Sequence, residues 1–261
     1  MKVVCLQNSI VTGDTERNVS VFSDLVASCR GNGGYIVVLP EMWATGFDYP
    51  KISRHAELSH IFIEKTQVLL EDGCLAILSL PEIENGRVFN TVFAVSKSNI
   101  IAKYRKTFLF SPMKEDTYFS HGSGDPVIFE YNGAAISLHT CYEIRFPELF
   151  RVTAYKGAEV MLVTAIWPES KKAHWLTLLR ARAIENQCFV VGCNASEVIT
   201  GNKHLDCGYS AVFDPWGEIV GSLESGVGCL AVDLELEKTS KVREELPSLK
   251  DAKSFFAINK S

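Results

Sequence analysis

Three reactive side chains share one position relative to the apolar runs of the chain. Glu41 directly follows YIVVLP, Lys106 closes IIAKYRK and Cys141 directly follows AAISLHT, so each stands where a strand is expected to end. Ligand crevices of α/β sheets open at the carboxyl ends of strands, and three such ends can converge on one pocket. Singly these residues carry little, because an exposed Glu or Lys is usually a solvated charge and a lone Cys is usually packing. The stretch HTCYEIRFPELFR adds a second feature: Pro147 and Glu148 read as a helix start, so the turn holding Cys141 is expected to aim backbone N–H groups at its sulfur. Such a turn lowers a thiol pKa and can bind an oxyanion, which is the chemistry of a thiolate nucleophile. A competing reading makes His139 the base of a Cys-His pair. On a regular strand, however, residues 139 and 141 share a face about 7 Å apart, too far for a direct hydrogen bond.

The elements that must position these ends alternate between helical and strand periodicity. Helices are expected over 18–29, 58–70, 146–156 and 171–187, the first ended by Gly31, Gly33 and Gly34. Continuous apolar runs at 35–39, 74–80, 160–164 and 188–193 read as strands covered on both faces. Tight-turn dipeptides, Asn85-Gly86, Ser98-Asn99 and Asn132-Gly133, introduce strands over 88–95, 100–106 and 134–140. A last hairpin, 210–213 with 218–222, turns at Asp214-Pro215-Trp216-Gly217; residues 227–234 follow, then a polar tail over 235–261, extended or short-helical. Without a Ser/Pro/Gly-rich linker, repeat or low-complexity segment, the pattern implies one layered α/β domain over 1–261.

Composition narrows the function classes. The chain of 261 residues is 47% hydrophobic and carries 26 Lys plus Arg against 31 Asp plus Glu, a net charge of -5, with no basic run able to track a phosphate backbone. Nucleic acid is therefore not an expected partner. The start, MKVVCLQNSIVTGD, has neither the form of a secretory signal nor that of an anchor, and no apolar stretch approaches the roughly 18 residues a bilayer span needs. A soluble, cytoplasmic chain is the expectation, with its eight cysteines as free thiols, mostly in the core. Cys188, Cys193, His204 and Cys207 lie near one another in sequence, but Cys188 and Cys193 flank an apolar run like the ends of a buried strand, a poor metal pattern.

The blocks LPEMWATGFD, YRK, CYEIRFPEL and TAIWP, in that order, strongly resemble the nitrilase superfamily of carbon-nitrogen hydrolases. The resemblance extends from Gln7, Gly13-Asp14 and Asn18 to ARAIENQCFVVGCN (181–194), Gly208-Tyr209-Ser210 and Asp214-Pro215-Trp216-Gly217, nearly the whole chain. It implies a four-layer α-β-β-α sandwich and a Glu41-Lys106-Cys141 triad acting on an amide without metal or organic cofactor. Cys141 is then the nucleophile and Glu41 the proton carrier, while Lys106 and the backbone N–H of Tyr142 stabilise the oxyanion. Glu115, in SPMKEDTYFSHG, matches a second carboxylate that holds Lys106 and Glu41. Trp167 matches a loop that gives the pocket a wall and a backbone contact. Arg145 and Glu143 are substrate-contact candidates, although paired charges beside a reactive Cys more often brace the turn by salt bridging. The resemblance also implies at least a homodimer.

Within the superfamily, MWATGFD, AIWPESKKAHW and LLRARAIENQCFV look most like the ω-amidase branch acting on 2-oxoglutaramate. The expected substrate is then a small ω-amide carrying a carboxylate, in a pocket walled by Phe47, Trp167 and His174, with Arg145 and Lys171 as candidate cations. Alternatives are a nitrilase, an N-carbamoyl amidase, a deaminated-glutathione amidase, or a scaffold that kept the fold without the activity. Three departures from the usual pattern bear on the pocket: Phe108 where relatives commonly have His, His139-Thr140 where apolar residues are commoner, and Glu143 where Asp is usual. At Phe108 a packing contact or hydrogen bond behind the site is expected to be lost.

Overall fold

The structure, a computed structural model, describes residues 1–28 and 34–256. From the start run β1 (Lys2–Gln7), β2 (Ser9–Val11), α1 (Thr15–Ser28), β3 (Tyr35–Val38), α2 (Ile52–Leu69) and β4 (Leu75–Glu84). Next come β5 (Arg87–Ser96), β6 (Ile100–Arg105), the short α3 (Glu115–Tyr118), β7 (Ile128–Tyr131), β8 (Ala134–Thr140), α4 (Pro147–Tyr155) and β9 (Val160–Ala165). The chain continues through α5 (Lys172–Asn186), β10 (Phe189–Asn194), β11 (Glu197–Thr200), β12 (Lys203–Asp206), β13 (Ala211–Phe213), β14 (Ile219–Ser222) and β15 (Gly228–Asp233) to α6 (Glu237–Glu245) and α7 (Ser248–Phe256).

The strands form two six-stranded sheets, ordered β15-β1-β3-β4-β5-β6 and β14-β13-β10-β9-β8-β7, with a small sheet β12-β11-β2 beside them. Each large sheet has a parallel centre, β1-β3-β4 and β8-β9-β10. These are the runs that lack alternation, because both faces are covered. The period of two sorts their side chains: Val3, Cys5, Ile36, Val38, Leu75 and Ile77 join the core shared with the second sheet. Their neighbours Val4, Leu6, Val37, Leu39, Ala76 and Leu78 pack with Phe22 and Val26 of α1 and Phe62 and Ile63 of α2. On the far side, Leu149 and Phe150 of α4 and Trp175 and Leu179 of α5 cover the second sheet. The result is the four-layer α-β-β-α sandwich. Asn85 and Gly86 both have positive φ (52° and 73°) in a two-residue turn joining Glu84 to Arg87, the mirror-image turn that matches strand twist.

Several boundaries differ from the sequence pattern. The first helix begins at Thr15 rather than 18, and its expected end at Cys29, with Gly31 and Gly33, lies outside the described residues. Residues 2–7, a short apolar run without turn signals, form β1 because β15 and β3 pair with them across great sequence distance. The polar tail, expected as extended or short-helical, forms the two helices α6 and α7 over its described residues. Arg243 fastens α6 by donating to the carbonyls of Gln187 (3.2 Å) and Ala158 (2.6 Å), tertiary partners that no local pattern reveals. Cys5, Cys74, Cys141, Cys188, Cys193 and Cys207 are free thiols, but Cys229 is disulfide-bonded. The expectation of free thiols throughout therefore fails there; it rested on compartment rather than on which sulfurs meet. Among the described residues no helix is long and apolar enough to cross a membrane.

Candidate active site

Two sheets deliver the three reactive side chains to one cavity. Past β3, the Leu39 N–H still donates to the Ile77 carbonyl (3.0 Å), and the Glu41 N–H reaches the Ala165 carbonyl (3.3 Å) at the end of β9, tying the first sheet to the second. Lys106 follows β6, its N–H held by the Asn90 carbonyl (2.8 Å). Cys141 follows β8 at φ 42°, a left-handed conformation that costs free energy for a residue with a Cβ and persists only when its surroundings fix it. Here they do: the guanidinium of Arg182 donates twice to the Ile144 carbonyl (3.0 and 2.7 Å), and Glu143 accepts from the N–H of Thr140 (2.9 Å). The same carboxylate accepts from the N–H groups of Thr107 (2.7 Å) and Phe108 (3.3 Å) and from the Tyr104 hydroxyl (2.6 Å). Glu143 thus clamps the Cys141 turn to the loop after Lys106. Burial pushes its carboxyl up to about 7, against those donors and the Lys106 charge.

Lys106, Glu41 and Glu115 are each 1% exposed. The Lys106 Nζ lies 2.8 Å from Glu41 Oε1 and 2.9 and 2.8 Å from the two oxygens of Glu115. Asn90 donates to both carboxylates (2.8 and 3.0 Å) and is itself held by the Ser79 hydroxyl (3.1 Å). Glu115 further accepts from the Phe110 N–H (2.7 Å), and Glu41 from the Ile166 N–H (3.3 Å). Burial alone would lower the Lys106 pKa, but the two carboxylates overcome it and hold the ammonium above its ordinary value. The Cys141 thiol donates to the Ile166 carbonyl (3.4 Å). Burial, with the Glu41 charge added, pushes this thiol well up, and Lys106 only partly opposes the rise. The sequence-based expectation of a lowered thiol pKa is thus wrong for the free enzyme: desolvation and an adjacent carboxylate outweigh the turn, so the resting group is a thiol that needs a base. His139 supplies none, since it stacks on Phe150 (4.0 Å), bonds the Ser137 hydroxyl (3.0 Å) and is driven down to about 3 by burial and Arg182.

The cavity above Cys141 holds about 160 Å³. Phe47, Tyr142, Trp167, Arg145 and Lys171 line it, whereas His174 does not; it stands behind Arg145, 3.5 Å from the guanidinium. Trp167 is a wall, but its backbone N–H turns away to Asn194 Oδ1 (2.7 Å), and its indole N–H donates to the Lys171 carbonyl (2.9 Å). Arg145 and Glu143 do not brace the turn as an ion pair: Glu143 takes backbone donors and Arg145 lies 4.6 Å over the Trp167 ring. Phe108 has a packing partner of its own, stacking on Phe146 at 3.9 Å. Asn90, Ser79, Tyr49 and Asn194 are site residues that motif spacing missed. Asn90 had a signal, a polar residue inside the apolar strand VFNTVF. Cys188 is buried in the bend just before β10 and Cys193 within that strand, His204 of β12 pairs with Glu197 of β11, and no cluster with metal-holding geometry exists among the described residues.

The carbon-nitrogen hydrolase family model matches residues 2–244. The chain is 34% identical over 258 residues to the 2-oxoglutaramate amidase of Bacillus subtilis (strain 168), covering 95% of this chain and 96% of that one. It is 32% identical over 266 residues to an omega-amidase of Yersinia enterocolitica, with 99% of both chains covered. Among solved structures, a mutant of the amidase from Nesterenkonia sp. AN1 superposes with a TM-score of 0.82 at 26% identity, covering 95% of this chain and 98% of that one. That structure shows the result of Michael addition of acrylamide at its active-site cysteine. The chain belongs to the carbon-nitrogen hydrolase family, in the nitrilase superfamily, and is an amidase of that family.

Proposed function

We propose that the enzyme hydrolyses a small ω-amide bearing a free carboxylate, of the 2-oxoglutaramate or succinamate type, through a Cys141 thioester, releasing ammonia. One observation carries this reading: the buried Glu41-Lys106-Glu115 cluster and Cys141 share a cavity of about 160 Å³ whose lining includes two cations, Arg145 and Lys171. Space for a short acyclic chain, an attacking thiol at one end and positive charge for a carboxylate fit such a substrate. The names of the Bacillus and Yersinia relatives support the same branch.

In the mechanism, Glu41 accepts the thiol proton as Sγ bonds to the amide carbon, giving a tetrahedral oxyanion stabilised by the Lys106 charge and the Tyr142 backbone N–H. Such donors contribute roughly 3 to 4 kcal/mol each to transition-state stabilisation. The oxyanion collapses as the C–N bond breaks, and Glu41 returns its proton to the departing ammonia. Water then loses a proton to Glu41 and attacks the thioester; the C–S bond breaks and the sulfur recovers the proton. Glu115 keeps Lys106 charged throughout.

The test compares kcat/KM for succinamate, 2-oxoglutaramate, glutamine, a simple nitrile and an N-carbamoyl amino acid. The first two are expected to exceed the rest by at least about tenfold, or roughly 1.4 kcal/mol of differential transition-state binding. A nitrile or carbamoyl compound that proves the better substrate transfers the enzyme to another branch.

A further inference from the structure

Most polar groups around the cavity already have partners. The Lys106 ammonium is taken by Glu41 and Glu115, the Ile166 N–H by Glu41, and both N–H groups of Trp167 by Asn194 and Lys171. The Tyr49 hydroxyl is different. Tyr49 lines the cavity, and its oxygen is buried with no hydrogen-bond partner among the described residues. Buried polar groups are normally paired, so one left open on the wall of a reaction cavity has hydrogen-bonding capacity to give a ligand. Its direction is fixed: the ring stacks on Tyr118 (4.3 Å, 13° between planes) and meets Phe119 edge-on (6.4 Å).

The chemistry the hydroxyl can accept follows from its neighbours. Burial and the charges of Glu115 and Glu41 raise its pKa, so it stays a neutral phenol at any working pH. Those carboxylates also disfavour a second anion beside it. A substrate carboxylate is better placed near Arg145, which lies over Trp167, and Lys171, whose carbonyl holds the Trp167 indole. Resting on the ω-amidase reading, we infer that Tyr49 is a substrate-binding residue whose hydroxyl hydrogen-bonds an uncharged polar group of the ω-amide while Arg145 and Lys171 take its carboxylate. The cavity then reads substrate polarity: charge at one wall, neutral hydrogen bonding at the other.

Tyr49→Phe removes the hydroxyl and keeps the ring stack. For the better of 2-oxoglutaramate and succinamate, KM is expected to rise about tenfold with kcat changed less than twofold and the thermal midpoint unmoved, because a ground-state contact is lost. A KM within twofold of wild type, or a fall confined to kcat, overturns the assignment. Calorimetric titration of succinamate into Cys141→Ala and into Cys141→Ala/Tyr49→Phe gives a readout that does not depend on turnover. A Kd weakened about tenfold supports the contact; equal Kd values, or no binding to Cys141→Ala, overturn it. Wild-type turnover of neither amide would sink the ω-amidase reading and the Tyr49 contact with it, whereas wild-type turnover of either amide with equal Kd values sinks the Tyr49 assignment alone.

Discussion

At the scale of single residues, the candidate site joins a thiol that resists ionisation to a buried carboxylate and a cation that cannot leave. The thiol is pushed up by burial and by Glu41, and the ammonium of Lys106 is held charged by two carboxylates that are as buried as it is. A freely ionised thiolate would be open to any electrophile; in the proposed mechanism the thiol is activated by Glu41 only as the substrate carbonyl arrives. The role of Glu41 is testable by Glu41→Gln, which keeps the side chain's size and lets its remaining oxygen accept from Lys106 and Asn90. Activity is expected to fall by at least about a thousandfold, since a neutral amide can neither take the thiol proton nor deliver it to ammonia. At the same time the apparent pKa for alkylation of Cys141 by iodoacetamide is expected to fall, because a negative charge beside the sulfur is gone. An apparent pKa that stays put or rises would mean that Glu41 is not what raises the thiol.

At the scale of elements, the catalytic geometry is a matter of where three strands stop and what holds the next residues. β3, β6 and β8 end one or a few residues before Glu41, Lys106 and Cys141, and Glu143 ties the last two ends together across the two sheets. Glu143→Ala would leave the N–H groups of Thr107, Phe108 and Thr140 and the Tyr104 hydroxyl without their shared acceptor. Even with partial rescue by water, a loss of about 3 kcal/mol is expected, near 10 °C in thermal midpoint, together with a lower kcat. Calorimetry and steady-state kinetics on one preparation check this, and an unchanged midpoint rules out the clamp. The strand ends were legible in the sequence because apolar runs and turn dipeptides are local: β8 lies at 134–140 as expected, and β6 stops one residue short. β1 and the clamp were not, because each depends on partners far along the chain, and the tail was legible only as extended or short-helical. Asn90 and Tyr49 follow the same division; the first interrupts an apolar strand, whereas the second is an ordinary loop tyrosine until the fold brings it beside Glu115.

At the scale of the whole molecule, the site depends on the sandwich staying closed, since its residues come from both sheets, and closure has a pH dependence that can be assigned. His139 sits in β8, buried against Phe150 of α4, and is driven from its ordinary 6.5 to about 3. A base whose folded pKa is depressed takes up a proton in the unfolded chain before the folded one, so stability is lost as pH falls below about 6.5 and continues to fall toward 3. Between pH 7 and pH 5 this amounts to about 2 kcal/mol. Glu143 works the other way: its carboxyl, raised to about 7, makes the folded state gain stability as pH falls over the same range, so the net slope is shallower than the His139 share. The two are separated by a substitution rather than by the wild-type curve alone. His139→Gln keeps a polar group within reach of the Ser137 hydroxyl and cannot titrate, so in urea unfolding its stability difference between pH 7 and pH 5 is expected to shift by about 2 kcal/mol toward greater stability at the acid end. Parallel curves for wild type and variant would show that His139 is protonated as readily in the fold as in the unfolded chain, and would remove burial between β8 and α4 as the source of acid lability.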